Sequence, residues 1–472
     1  MSYTSVYYYA LIAITVGLYY ALKKQYRWIV LLISSMVFYA LIIQSPFQMA
    51  VFALVIVISW FSGKLIEKNP EKKTFWAGLV LSLLPLLAVR LDAWQVMYLH
   101  GSARLLVPAG ISFFSLQAAA YLIDIYRGKI QVQQNLLKYA LFIAWFPQII
   151  QGPIPRYEQL ADQLIEGHDY GTDRFMKGIQ LIIWGFFLKF MIADKAAPYV
   201  NTVFTDYNAY QGFPVLLAGI LYSLQIYTDF LACTTMSQGV SALFGITLAD
   251  NFKHPYHSAS VQEFWRRWHI SLSSWLRDYV YIPLGGSRKG AFRRYVNLVI
   301  VFLVSGIWHG TGLTFITWGL LHAFYQIFGS YTRSARNAFW QKTGITEGLR
   351  HIISVVSTLF LVMTGWIIFR ASSLRAALRM ILNLFVINPW TLTDGTLLRC
   401  GLDKADWTVL ILSAAVLGIV EHVQKRMVIR DRFQKQNTAV RWAVYFLAIW
   451  GIWLLGSYGY GFDASDFIYG GF

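Results

Sequence analysis

The sequence predicts an all-α polytopic membrane protein, and three observations carry that prediction. Of its 472 residues 57% are hydrophobic and only 13% charged, against about 25% charged in an ordinary soluble chain. With a mean hydropathy of +0.49, too little polar surface is available to cover a water-soluble globule of this size. Apolar stretches of spanning length recur along the chain, a crossing of about 30 Å needing roughly 20 helical residues. None alternates polar and apolar residues as an outer-membrane barrel strand does, so the spans are helices, which satisfy their own backbone groups in lipid.

In chain order the stretches run over residues 5–21, 28–43, 47–63, 75–89, 105–125, 139–154, 176–192, 213–230, 295–308, 313–328, 352–369, 407–420 and 442–458. The first starts almost at Met1, with no basic region before it and no small-residue cleavage site after it, and reads as a retained span. Lys23, Lys24 and Arg27 then mark its end as cytoplasmic and place the N-terminus outside. Lys425, Arg426, Arg430, Arg432, Lys435 and Arg441 place the loop before the last span inside, and the tail 456–472 outside. Two outside ends require an even number of crossings, so at least one of the thirteen stretches is re-entrant or interfacial. No repeat, low-complexity tract or linker divides the chain, which reads as one membrane domain over 1–472. The net charge of +17 lies in short clusters between spans, so it speaks for topology and anionic headgroups rather than nucleic acid. Cys233 and Cys400 have neither disulfide nor metal-ligand spacing.

Residues 263–294, EFWRRWHISLSSWLRDYVYIPLGGSRKGAFRR, are the exception. A lipid-spanning helix of that content costs several kcal/mol per central charge. The segment is expected to be interfacial on the cytoplasmic side or re-entrant along a polar cavity, broken at Pro283, Gly285 and Gly286.

Within Ser305-Gly306-Ile307-Trp308-His309-Gly310-Thr311-Gly312, His309 follows the basic pair Arg293 and Arg294 by about 15 residues, or roughly 22 Å of helix rise. That falls short of a crossing, so His309 lies within the hydrocarbon depth, where a neutral imidazole can take a proton from a hydroxyl and return it to a leaving group. A packed, hydrogen-bonded histidine is the alternative. His269 is the second candidate, with membership of an aromatic belt as its plainer reading. His100, His168, His254, His257, His322, His351 and His422 have no metal-type spacing and receive no role. Among carboxylates in apolar surroundings, Asp124, Asp194 and Asp229 stand out. Asp229 could orient a histidine or bind a substrate hydroxyl, although pairing with an arginine between helices is the commoner use.

The run Phe264-Trp265-Arg266-Arg267-Trp268-His269-Ile270-Ser271-Leu272, with Trp275-Leu276-Arg277-Asp278-Tyr279-Val280-Tyr281-Ile282-Pro283-Leu284-Gly285-Gly286, resembles the hallmark block of membrane-bound O-acyltransferases. More narrowly, it resembles the bacterial branch with the alginate O-acetylation and teichoic acid D-alanylation membrane proteins. Gly110-Ile111-Ser112-Phe113-Phe114, Phe146-Pro147, Gly152-Pro153-Ile154, Asn251-Phe252 and Pro255-Tyr256 agree in order, as does the final Asp466-Phe467-Ile468-Tyr469. Where many relatives read Asp-Phe-Ser-Gly-Tyr-Ser-Asp-Met, this chain has Thr235 in place of the second Asp.

The resemblance implies a ring of about 11–13 helical segments, interfacial or re-entrant ones included, around a tunnel where two funnels meet. It implies that His309 is the catalytic histidine and His269 the second. Trp265, Arg266, Arg267, Trp268, Arg277, Trp308 and Asp229 become candidates to line the donor path. No metal and no tightly bound cofactor is implied; the acyl donor, acetyl-CoA or an acyl carrier protein thioester, is a substrate. The expected setting is a bacterial cell membrane, with an esterase-like extracytoplasmic transferase or the acceptor polymer as partner. Tyr469, in the tail read as outside, is a candidate to carry the acyl group between them, or else an aromatic anchor. Acylation of a membrane lipid is the alternative within the family, and a transporter the alternative outside it, although no repeated halves are seen.

Overall fold

The computed structural model describes residues 2–99 and 105–458. Among these, all regular structure is helical. The chain begins with α1 (Val6–Ala21), α2 (Lys24–Ile42), α3 (Pro46–Lys68), α4 (Lys72–Leu99) and α5 (Ile111–Tyr126). Their starts are written locally: Ser5 accepts from the Tyr8 N–H at α1, and Ser45 with Gln48 forms a capping box around Pro46 at α3. α3 packs on both α4 and α5. A Cβ at Gly78 would stand 2.7 Å from that of Ser62, so small residues set this approach.

The stretch 139–154 does not form a span. α6 (Leu136–Ala144) has only nine residues, because Pro147, Gly152 and Pro153 deny a helix its amide donors and geometry. Residues 145–156 run non-helically to α7 (Tyr157–Glu166), buried in protein apart from the half-buried Ile150. Irregular backbone is tolerated in a membrane domain under that condition.

The expected span 176–192 lies inside a longer rod. α8 (Thr172–Phe186) passes through a π-helical turn, Phe187–Ala193, into α9 (Asp194–Thr205), and α10 (Phe213–Leu243) packs along it. A Cβ at Gly178 would meet the Gly239 carbonyl oxygen at 2.6 Å, so two glycines bring these backbones together. The wide turn carries Lys189 inward to Asp194 at 2.9 Å and to Asp229 of α10 at 2.8 Å. Asp229 is therefore paired with a lysine, not with the arginine that its type suggested.

The segment 263–294 is a chain of short pieces: α11 (Val261–Arg267), α12 (Ile270–Leu276), a π turn at Arg277–Tyr281, and then α13 (Gly290–His309), which makes a hairpin with α14 (Leu313–Tyr331). A Cβ at Gly306 would come within 2.5 Å of the Phe315 carbonyl oxygen, and one at Gly319 within 2.4 Å of that of Phe302. The hairpin thus closes backbone to backbone, and Arg294 donates to Ser330 Oγ at 3.2 Å across its base. α15 (Arg333–Thr343), α16 (Glu347–Arg370), α17 (Leu374–Asn383), α18 (Thr396–Arg399), α19 (Lys404–Gln424), α20 (Ile429–Gln434) and α21 (Thr438–Leu455) complete the order.

Among the described residues nine helices are long and apolar enough to cross a membrane, with α1 and α5 as shorter apolar ones. The protein is a multi-pass membrane protein. Lys24 pairs with Asp169 at 2.6 Å, and Tyr20 donates to the Leu243 carbonyl at 2.7 Å. The end of α1, the starts of α2 and α8 and the end of α10 therefore share one level, the basic end of the bundle. The expected tail falls mostly, and Tyr469 wholly, outside the described residues.

Candidate active site

His309 is the last residue of α13, immediately before the Gly310–Gly312 bend of the hairpin. It is buried, its ring centroid 4.7 Å from Trp308, 5.2 Å from Trp318 and 5.3 Å from Phe369, each near edge-on. The walls are three aromatic side chains from α13, α14 and α16. What holds the tip is a residue that sequence reading missed: Arg90 of α4 donates from Nη2 to the Trp308 carbonyl at 2.5 Å and to Ser112 Oγ at 3.0 Å. The last carbonyls of a helix lack intrahelical partners and carry its partial negative charge, so a guanidinium there both satisfies and anchors the end. The Trp308 indole donates to the Ser112 carbonyl at 3.0 Å, tying the tip to the start of α5. The signal available in the sequence was a lone arginine directly after the apolar stretch 75–89.

His269 sits between α11 and α12 with φ 45° and ψ 54°. A side chain with a Cβ adopts this left-handed conformation at a cost of about 1–3 kcal/mol, and only where its surroundings impose it. Asn251 imposes it. Its Oδ1 lies 3.1 Å from the Ser271 N–H, 2.8 Å from Ser271 Oγ and 3.2 Å from His269 Nδ1, while its backbone carbonyl takes the Ile270 N–H at 2.9 Å. An atom that accepts a backbone N–H is an acceptor, so the imidazole must donate from Nδ1. In the neutral imidazole this puts the proton on Nδ1 and the basic lone pair on Nε2.

Trp308 touches both histidines, its ring 6.0 Å from His269 and 4.7 Å from His309. Phe230 packs on the other side of His269 at 4.7 Å. Two neighbouring imidazoles enclosed by apolar rings are suited to proton transfer, since neutral His is both base and, once protonated, acid. Among the described residues no three His, Cys, Asp or Glu side chains form a metal-binding group.

Asn251→Ala should leave three donors around Oδ1 unsatisfied, a loss of about 1–3 kcal/mol for each fully buried group. The expected result is a lower melting temperature together with slower acyl transfer, whereas Asn251→Asp retains the acceptor and much of the rate. Thermal unfolding beside a turnover assay checks this; unchanged values for Asn251→Ala would show that the left-handed His269 stands without it.

The other expected residues divide. Trp265 donates from Nε1 to His322 Nδ1 at 3.2 Å and packs on Trp318, within the wall that meets His309. Trp268 is buried between Phe252, Phe264 and Trp366. Arg266 is exposed. Arg267 pairs with Glu263 at 2.6 Å, and Arg277 with Asp278 at 2.9 Å. The structure brings His309, His269, Trp308 and Trp265 into one aromatic region and leaves Arg266, Arg267 and Arg277 outside it. Asp229 reaches that region through its neighbour Phe230.

Four histidines given no role acquire partners, His168 through its Nε2 at 2.8 Å from the Gln163 carbonyl. His322 joins the Trp265 wall. His257 Nε2 stands 3.1 Å and His254 Nδ1 3.7 Å from the carboxylate of Glu421 on α19, which also accepts from Tyr227 at 2.5 Å. Burial, with Lys425 nearby, holds the His257 imidazole below its usual value against the opposing pull of Glu421.

Comparison with known proteins agrees with the hallmark block. Residues 130–369 match the model of the MBOAT, membrane-bound O-acyltransferase, family. The chain is 34% identical over 422 residues to a probable alginate O-acetylase AlgI of Pseudomonas fluorescens, covering 88% of this chain and 81% of that one. It is 33% identical over 312 residues to a peptidoglycan O-acetyltransferase of Helicobacter pylori, over 60% of this chain and 58% of that one. With a teichoic acid D-alanyltransferase of Bacillus subtilis it shares 28% over 344 residues, 68% of this chain and 85% of that one. With this match laid over the buried histidines, the protein is an acyl-transferring enzyme of the membrane-bound O-acyltransferase family.

Proposed function

We propose that this enzyme moves an acetyl group from a cytoplasmic thioester to hydroxyls of a cell-surface polysaccharide, working with an extracytoplasmic partner. The observation that carries the reading is the pair of enclosed histidines on either flank of Trp308, at the tip of a membrane hairpin. The preference for acetyl over D-alanyl follows the alginate acetylase relative, which is more similar than the D-alanyltransferase. The basic end is read as cytoplasmic.

A polyanionic thioester cannot be carried through hydrocarbon, since even one charge at that depth is costly; the acyl group alone needs to pass. In the proposed step His309 removes the proton from an acceptor hydroxyl as its oxygen attacks the thioester carbonyl. The new C–O bond forms, the C–S bond breaks, and the departing sulfur takes the proton back from the imidazolium. Arg90 keeps the His309 end of α13 in place, and Asn251 holds His269 in the tautomer whose Nε2 is basic.

The first acceptor in this scheme is the hydroxyl of Tyr469, which passes the ester to the partner. Tyr469→Phe should then abolish surface acetylation in cells, as His309→Ala does, while membrane insertion persists. Retained acetylation in Tyr469→Phe cells with loss in His309→Ala cells would remove the relay and leave direct transfer. Purified protein given acetyl-CoA or an acetylated carrier protein, with thiol release measured, identifies the donor. Acetylated lipid in place of acetylated polysaccharide would overturn the proposed acceptor.

A further inference from the structure

At the basic end of α8 and α10 lies a cavity that shares no residue with the histidine site. It has a volume of about 400 Å³ and is lined by Arg174 and Lys177 from the first turns of α8, by Gln238 and Asp250, and by the apolar Leu181 and Leu248. Arg174 is held in place by the Asp169 carbonyl at 3.1 Å. The left-handed Gly245, φ +83°, makes room for the His168 side chain, whose Cβ a Cβ there would approach to 2.6 Å. Asp250 is already engaged by Gln238 Nε2 at 2.9 Å, and Asp169 by Lys24. Lys177 has no carboxylate within ion-pair distance among the described residues. Arg430 of α20 reaches the carbonyl of the exposed Asp173, the residue before Arg174, at 3.5 Å.

Three further facts narrow the occupant. The cavity lies at the level of the Lys24–Asp169 pair, at the basic ends of the apolar helices α2 and α8. Part of its lining is apolar, which a fully hydrated polyanion does not need. Beside it α21 lies against α8, with Gln180 Nε2 donating to Tyr445 OH at 2.7 Å, and presents exposed Phe446, Leu447 and Trp450, a surface for acyl chains. Basic pockets between helices at the cytoplasmic leaflet suit anionic headgroups. We propose that this cavity binds the phosphodiester headgroup of an anionic inner-leaflet phospholipid, with the phosphate between Arg174 and Lys177 and the headgroup hydroxyls toward Gln238 and Asp250. The lining runs to Asp250, the residue before Asn251, so an occupied cavity also steadies the residue that holds His269.

The test is native mass spectrometry and thermal unfolding of the full-length protein titrated with phosphatidylglycerol or phosphatidylcholine. Phosphatidylglycerol should bind at least tenfold more tightly than phosphatidylcholine and raise the melting temperature, and the rise should shrink as salt goes from low to high. Lys177→Glu should lose the preference, with its lipid-free melting temperature unchanged, and Lys177→Arg should keep it. Equal binding of the two lipids, or a Lys177→Glu protein that binds like wild type, would overturn the proposal. Should the variant fail to fold, the salt dependence in wild type decides: a phosphatidylglycerol effect insensitive to salt counts against the site. Displacement of the lipid by millimolar inorganic phosphate or coenzyme A would reassign the cavity to a soluble phosphate ester and overturn the lipid reading.

Discussion

With His309 as the proposed general base, His309→Ala is expected to lower the rate of acyl transfer by about 10²- to 10⁴-fold, the range that a positioned base supplies, and to leave the fold in place. The fold survives because the hairpin is closed elsewhere, by the backbone contacts at Gly306 and Gly319 and by Arg90 on the Trp308 carbonyl. None of these uses the imidazole. His309→Gln, which fills the site without a comparable base, should be as inactive. Thiol release from the donor thioester, measured beside the melting temperature in detergent, checks both halves. A variant that keeps a third or more of the wild-type rate would move the proton transfer to another group, with His269 as the first to examine.

Lys189→Met has the largest expected effect on stability. It removes one cation from a site where Asp194 and Asp229 are 2% exposed and approach it at 2.9 and 2.8 Å. Breaking a buried ion pair by deleting one partner costs about 3–5 kcal/mol, because uncompensated charge remains in a poorly polarisable interior. Replacing all three with apolar residues of similar volume should recover much of that loss. The readout is thermal unfolding of the purified single and triple variants. A single variant as stable as wild type would show that the carboxylates find other compensation. Activity should fall as well, since Asp229 adjoins Phe230, which packs on His269 at 4.7 Å.

How far the sequence could be read depended on the physics behind each feature. Spans such as 47–63 and 352–369 were legible because lipid selects continuous apolar runs, and they lie within α3 and α16. The stretch 139–154 was equally apolar yet is not a span: Pro147, Gly152 and Pro153 stop the helix, and protein rather than lipid surrounds the chain beyond it. Hydropathy does not distinguish those two surroundings. His309 and His269 were legible as candidates from depth, local glycines and a long motif. Arg90 and Lys189 were not singled out, and Asn251 only as part of a matching motif without a role, because each acts through a partner distant in sequence: residue 308 for Arg90, 269 and 271 for Asn251, 229 for Lys189. Asp229 was noticed, but the kind of partner was wrong, since a carboxylate in an apolar run carries no sign of which cation the fold will bring.

By itself the sequence determined that the chain is an all-helical membrane protein, which family it belongs to, and where its basic loops lie. Composition, run length and motif are properties of neighbouring residues, and lipid imposes strong rules on them. Tertiary structure alone decided that Trp308 stands against both histidines, that Arg90 anchors the hairpin tip, and that Asn251 sets the tautomer of His269. Those outcomes rest on contacts of a few ångströms between segments tens to hundreds of residues apart, and only the packing of whole helices brings such groups together.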